Sequence, residues 1–437
     1  MAASGTTSEP ADQTAASRRD SGRLTNNEAE EARNILVLVI HQVFFRTAWI
    51  FKIESVIMPA FLDSITSVGW LRGMLPLLNR FGQALVPLLL SERLSQTTRK
   101  ATWLSRTTFL MSLPFLSLGA LLLVPELRTQ SWFVYYFLAA YLTFFCLHGV
   151  NQASFNTIQG KLIRPNRRGR LIMLASAFGT PVAVGMAWLL LRPWTAAVPI
   201  QFSHIFLFTG SLFFLASLVT SQITETPDPK VAKAVLSFSK RLKAAKRALT
   251  EDADLKRLCQ FSALFVSTQL LFPYYQRLGQ SLADFHGSML MIWVVAQFIS
   301  AALFSWIAGF IADVRGTRSA LRILSFAGMF APMLALSIAW ADSASWYWVA
   351  FFSLGLVPVT YRIQLNYALE LTDRQHHPIY VSTVVLSATV PILLSPLVGE
   401  LVERFEYLPT FIAITVLLAL AWARTWFMIE PRDQVRP

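Results

Sequence analysis

The chain has 437 residues, of which 54% are hydrophobic and only 14% charged, with a mean hydropathy of +0.49. That balance excludes a soluble domain and a disordered chain and points to a polytopic membrane protein. The formal net charge of +13 would suit a nucleic-acid binder, but the positive residues cluster in alternate loops between apolar runs, which argues against that class.

Residues 1–33 are rich in Ala, Ser, Thr and charge and read as a disordered cytoplasmic tail. The first apolar run starts near Ile35 and is too long for a cleavable signal peptide, so none is expected. A spanning helix needs about 20 mostly apolar residues. Twelve stretches qualify: 35–60, 67–91, 103–124, 132–158, 171–191, 203–223, 259–279, 286–312, 319–340, 345–371, 379–403 and 409–429. Alternating strand patterns are absent, so a β-barrel is not expected. The predicted fold is an all-α polytopic membrane protein. It has a six-helix bundle over 34–223, a cytoplasmic linker over 224–258, a second six-helix bundle over 259–430 and a short tail over 431–437.

Charge sets the orientation. With the N-terminus in the cytoplasm, the inner segments carry 27 Lys and Arg and the outer loops only 4 (Arg128, Arg192, Arg277 and Arg404). The positive-inside rule therefore places both termini in the cytoplasm. Trp70, Trp132, Trp194, Trp340, Trp346 and Trp348 fall near the outer ends of spans, as interfacial aromatics do. The short loops favour a bacterial inner membrane. The only two cysteines, Cys146 and Cys259, lie in apolar spans and read as small buried residues; they form no disulfide framework or metal motif.

In the linker, Val231, Val235, Phe238, Leu242, Ala245 and Leu249 recur at helical spacing, with Lys233, Lys240, Arg241, Lys243, Lys246 and Arg247 on the other faces. This predicts a basic amphipathic helix on the anionic leaflet, with a solvated linker or a regulator site as alternatives. An internal repeat is visible as well. Gln152, Asn156 and Arg164 recur 210 residues later as Arg362, Asn366 and Arg374.

Residues 309–318 read GFIADVRGTR, between the eighth and ninth spans. Gly309 would allow close helix approach, Asp313 would cap a helix end or pair with a cation, Gly316 would permit a tight turn, and Arg318 would mark the cytoplasmic side. The decapeptide resembles the signature loop of the major facilitator superfamily, twelve-helix secondary transporters, and the loop KLIRPNRRGR over 161–170 resembles that family's basic loop after the fourth span. Val314 and Thr317 depart from the pattern, as does the fifth span, where Gly179, Pro181 and Gly185 only partly match the antiporter motif. The resemblance implies two pseudo-symmetric halves that rock about a midplane site, with 309–318 as a gating loop. It also implies that the first, fourth, seventh and tenth spans line a central cavity.

Intramembrane charges are expensive and mark function by default. Arg46 and Glu54, about 80° apart on a continuous helix, would face one cavity, while Lys52 would point elsewhere. Arg80 reads as a gate residue or as the partner of Glu54. Given the cavity that the resemblance implies, Arg46, Glu54, Arg80, Asn151, Gln152, Asn156, Gln269, Arg362 and Asn366 form the candidate substrate and ion pathway, and Tyr274 and Tyr275 read as boundary anchors. His148 reads as a helix-interface histidine. Glu370 either meets water or pairs with a loop arginine. An excess of arginine predicts a small anionic solute held by guanidinium contacts, with Glu54 carrying a coupling proton. The expected protein is a monomeric, cofactor-free secondary transporter in a lipid bilayer. The alternative is a non-transporting receptor or assembly factor with a plugged cavity. Metalloprotease, hydrolase and nucleotide-binding motifs are absent from the sequence, so an enzyme is not expected.

Overall fold

The computed structural model describes residues 11–227, 238–373 and 376–431. Among the described residues there is no strand, and ten helices are long and apolar enough to cross a membrane. The remaining two of the twelve spans are the second, Gly69–Gln96, whose first half carries Arg72 and Arg80, and the seventh, which is broken into three pieces.

Proline explains most of the breaks. The first helix runs Ala11–Phe51, a turn follows, and the span resumes as Ile57–Ile65 with Pro59 in its first turn. The seventh runs Ala253–Phe265, tightens to a 3-10 stretch at Val266–Leu271 and resumes as Phe272–Gln280 with Pro273 at its start. A proline clashes with the carbonyl four residues back but is tolerated in a first turn, so each ring sets a restart. Pro332 and Pro391 mark similar seams in the ninth and eleventh spans.

The two halves pack alike. In the first, the third span packs on the sixth, the second on the fourth, the first on the fifth and sixth, and the third on the fourth. The second half repeats these pairs: ninth on twelfth, eighth on tenth, seventh on eleventh and twelfth, ninth on tenth. These are two pseudo-symmetric six-helix bundles. The halves meet through the second and eleventh spans, the first and seventh, and the fifth and eighth.

Several sequence expectations change. Residues 11–33 are not an unstructured tail: they belong to the helix Ala11–Phe51, and Glu28 and Glu31 pair with Arg164 and Arg167 of the loop after the fourth span. The seventh span starts at Ala253 rather than 259, because Asp252 caps it by accepting the N–H groups of Asp254 and Leu255 at 2.8 and 3.0 Å. In the linker, Val231, Lys233 and Val235 lie outside the described residues, as do Arg374, Arg432 and Arg436. The linker helix, Phe238–Glu251, packs on the seventh and eleventh spans through buried Ala245, while Leu242, expected on the same face, is 51% exposed.

Candidate functional site

The two ends of the molecule differ. The end remote from the termini is called the far end. There the halves touch through backbone: a Cβ on Gly73 would lie 2.3 Å from the Ser395 carbonyl oxygen, and one on Gly399 would lie 2.7 Å from that of Gly69. The Gly69 N–H donates to Glu403 at 2.9 Å, and Ser55 donates to Gln297 at 2.5 Å across the buried seam. At the end bearing the termini, the second, fourth and eleventh spans instead border a cleft of about 650 Å³, lined by Gln83, Pro87, Asn156, Thr157, His377 and Val381 among others. A cleft thus separates these spans toward the termini, while the halves are in contact at the far end.

Arg46 stands on the first span and Arg362 on the tenth, one in each half. Arg46 packs over Gly179 of the fifth span, where an added Cβ would sit 3.0 Å from its Cδ. Neither arginine has an acid or a hydrogen-bond partner among the described residues. Arg362 and Asn366 are solvent-accessible, as are Gln152 and Asn156, the positions 210 residues earlier, which hydrogen-bond each other at 3.2 Å. Of these four, Asn156 lines the cleft. Arg80 crosses the halves: its Nε donates to Gln269 at 2.7 Å, and its guanidinium lies 4.7 Å over the Tyr361 ring.

Other expectations fail for identifiable reasons. Glu54 does not share a helix face with Arg46, because the helix ends at Phe51; it pairs with Lys52, which is fully buried rather than turned away. The Lys52 ammonium sits 3.0 Å over the Trp49 ring and 4.6 Å from both Phe144 and Phe145, a cation–π box that offsets its desolvation. Arg80 is accordingly not the partner of Glu54. Asn151 does not line the cavity: it is buried, donating to Thr107 at 3.0 Å, Thr108 at 2.7 Å and the Leu104 carbonyl, and it joins the fourth span to the third. Tyr274 and Tyr275 are buried rather than interfacial, and the Tyr275 carbonyl accepts from Tyr347. His148 is a packed interface residue among Phe45, Trp49, Phe144 and Phe145.

The loop over 309–318 is partly as expected. Gly316 has φ +88° and lets Glu430 sit where a Cβ would be. Arg318 donates its N–H to Glu430 at 3.1 Å and its guanidinium to the Met428 carbonyl. Gly309, however, has nothing within 4 Å of an added Cβ, so it is not a close-approach site. Asp313 lies inside the helix Met289–Arg315, and Gly316, without a side-chain cap, stands between that helix and the next. Glu370 accepts from the Thr317 hydroxyl beside the loop at 2.5 Å.

Sequence reasoning missed a twin of this contact. Glu225, just after the sixth span, accepts the N–H groups of Lys100 and Ala101 and the ammonium of Lys161. Glu430, just after the twelfth, plays the same part at the start of the ninth. Each half thus ends in a carboxylate at the N-terminus of its own third helix, where the helix dipole favours it. A Glu closely following an apolar span was the only available signal.

With this architecture in place, comparison with solved structures is informative. The chain matches a D-xylose–proton symporter with a TM-score of 0.66 at 12% identity, covering 92% of this chain and 98% of that one. It matches a mutant of the nucleoside transporter NupG with a TM-score of 0.65 at 14% identity, covering 92% and 100%. It also matches a POT family transporter in complex with 5-aminolevulinic acid, with a TM-score of 0.63 at 13% identity over 90% and 95%. The chain has the major facilitator fold. It is an integral membrane protein with the twelve helices of that fold. No protein-family model and no curated protein matches its sequence.

Proposed function

We propose that the protein is a secondary transporter that moves a small anionic solute by alternating access, with a proton carried by Glu54. The observation that supports this most is the pair Arg46 and Arg362: two cations on membrane-spanning helices, one per half, neither with an acid partner among the described residues. Such an arrangement is unfavourable until an anion bridges it, so solute binding would draw the halves together through charge-assisted hydrogen bonds. The open cleft favours transport over the non-transporting alternative, for which a plugged cavity was expected. On this reading the partly exposed Glu54 takes the proton, and its neutral form leaves buried Lys52 with the cation–π box alone, a high-energy state that solute movement has to offset. Positive-inside charge then puts the termini and the open cleft on the cytoplasmic side.

Calorimetry of the purified protein against a panel of metabolite anions tests the site. Arg362→Ala should weaken binding by about 10- to 100-fold, since hydrogen bonds to charged groups contribute roughly 1.5–3 kcal/mol; unchanged affinity would remove the anion reading. Glu54→Gln alone strands a buried lysine, at a cost of about 3–5 kcal/mol in stability. Coupling is therefore better tested with Lys52→Met combined with Glu54→Gln, which should bind solute but lose proton dependence of uptake. Retained proton dependence would exclude Glu54 as the carrier.

A further inference from the structure

The far-end seam contains one buried carboxylate that the transport cycle just described does not use. Asp63, on the restarted first span, has a side chain only 5% exposed. Its Oδ1 takes the Nε of Arg72, which is itself buried. Its Oδ2 has no hydrogen bond; the cation facing it is Arg277 of the other half, at 3.9 Å. Arg277 is 44% exposed and so connects the cluster to far-side water. Arg72 Nη2 and the Tyr274 hydroxyl are buried nearby, also without hydrogen bonds. Tyr407 and Glu403 complete the titratable groups around the cluster, and Glu403 is engaged by the Gly69 N–H.

We propose that Asp63 is a second protonatable site and the latch of the far-end gate. As a carboxylate it is shared between a cation of its own half and one of the opposite half, so it ties the halves together. A proton arriving from far-side water on Oδ2 leaves Arg72 and Arg277 facing each other with that anion neutralised. Arg72 is buried and Arg277 only partly reaches water, so the two like charges repel more than they would in bulk water. The halves are driven apart at this end, and the small-residue contacts of Gly69, Gly73 and Gly399 open with them. The inference rests on alternating access but not on the identity of the solute.

Ser395 is a suitable reporter, because it is fully buried beneath Gly73 in this state. Ser395→Cys, with Cys146→Ser and Cys259→Ala, would be labelled by a membrane-impermeant maleimide applied to vesicles of either orientation, at about pH 5.5 and about pH 7.5. With Asp63 intact, labelling from the far side should be faster at the lower pH. Asp63→Asn should label fast at both, by on the order of tenfold over the parent at the higher pH. Arg277→Gln removes the opposing cation, so its labelling should lose pH dependence; it also serves if Asp63→Asn does not fold. Slow labelling of Asp63→Asn at both pH values, or a pH response preserved in either variant, would overturn the latch. Arg362→Ala should keep the full labelling response, so loss of solute binding and loss of the latch are separable results.

Discussion

The far end and the terminal end of this protein use charged residues in opposite ways. At the far end, Asp63 with Arg277 and Glu403 with Gly69 join one half to the other. At the terminal end, Glu225 with Lys161, Glu28 and Glu31 with Arg164 and Arg167, and Glu430 with Arg318 join elements of the same half. On the proposed alternating access, the first kind of contact would have to be broken for the cavity to change sides. The second kind can persist through such a movement, because each half carries its own. On that cycle the far-end contacts would decide which state is populated, and the terminal-end contacts would keep each half folded.

The largest effect should come from blocking the far-end seam. Gly73→Val places a side chain where the Ser395 carbonyl already sits 2.3 Å from an added Cβ. Both partners are helix backbone, so neither can yield locally. Uptake should fall by about 100-fold or more, equivalent to roughly 2.7 kcal/mol, while the protein still purifies as a folded species; normal uptake would show that the seam need not close. Gly316→Ala should act on the other side of the comparison. It forces a residue with φ +88° out of its favoured region and against Glu430, at a cost of about 1–2 kcal/mol or more. A thermal melt in detergent should show this loss, and far-side labelling of Ser395→Cys should not change. If labelling changed too, terminal-end contacts would also set the state.

The smallest effect is expected at a far-end loop that belongs to neither group. Asp284 accepts the Ala344 N–H at 2.9 Å and the Ser345 hydroxyl at 3.0 Å. The Ala344 N–H, first among these donors, holds its carboxyl below the usual range. A depressed folded value means the contribution is present above the unfolded value of about 3.9 and is lost as pH falls below it. Asp284→Asn should therefore lower the melting temperature slightly at neutral pH, with the gap narrowing in acid. A gap that widened in acid would refute the assignment.

The spans were legible because burial in lipid leaves a local imprint, long runs of apolar residues whose ends are marked by Arg, Lys and Trp. The division into two halves was legible as well, and the two halves repeat the same helix pairings. The breaks were not read, although Pro59 and Pro273 were in view, because a proline inside an apolar run permits either a kink or a restart. The misreading of Glu54 and Lys52 follows directly: angular spacing on a helix means nothing beyond the residue where the helix ends. Asn151 was placed in the cavity because an amide on the fourth span looks the same whether it faces water or Thr107 and Thr108.

The sequence by itself determined that the chain crosses a membrane, how many times, and which residues carry charge inside it. These are properties of hydrophobic length and charge, which each segment expresses alone. The tertiary structure decided which charges meet. It gave Lys52 an aromatic box, shared Asp63 between two halves, left Arg46 and Arg362 without an acid among the described residues, and brought the halves together at the far end. Those outcomes depend on contacts between residues far apart in the chain, where a few ångströms separate an ion pair from a repulsion and no local pattern records the difference.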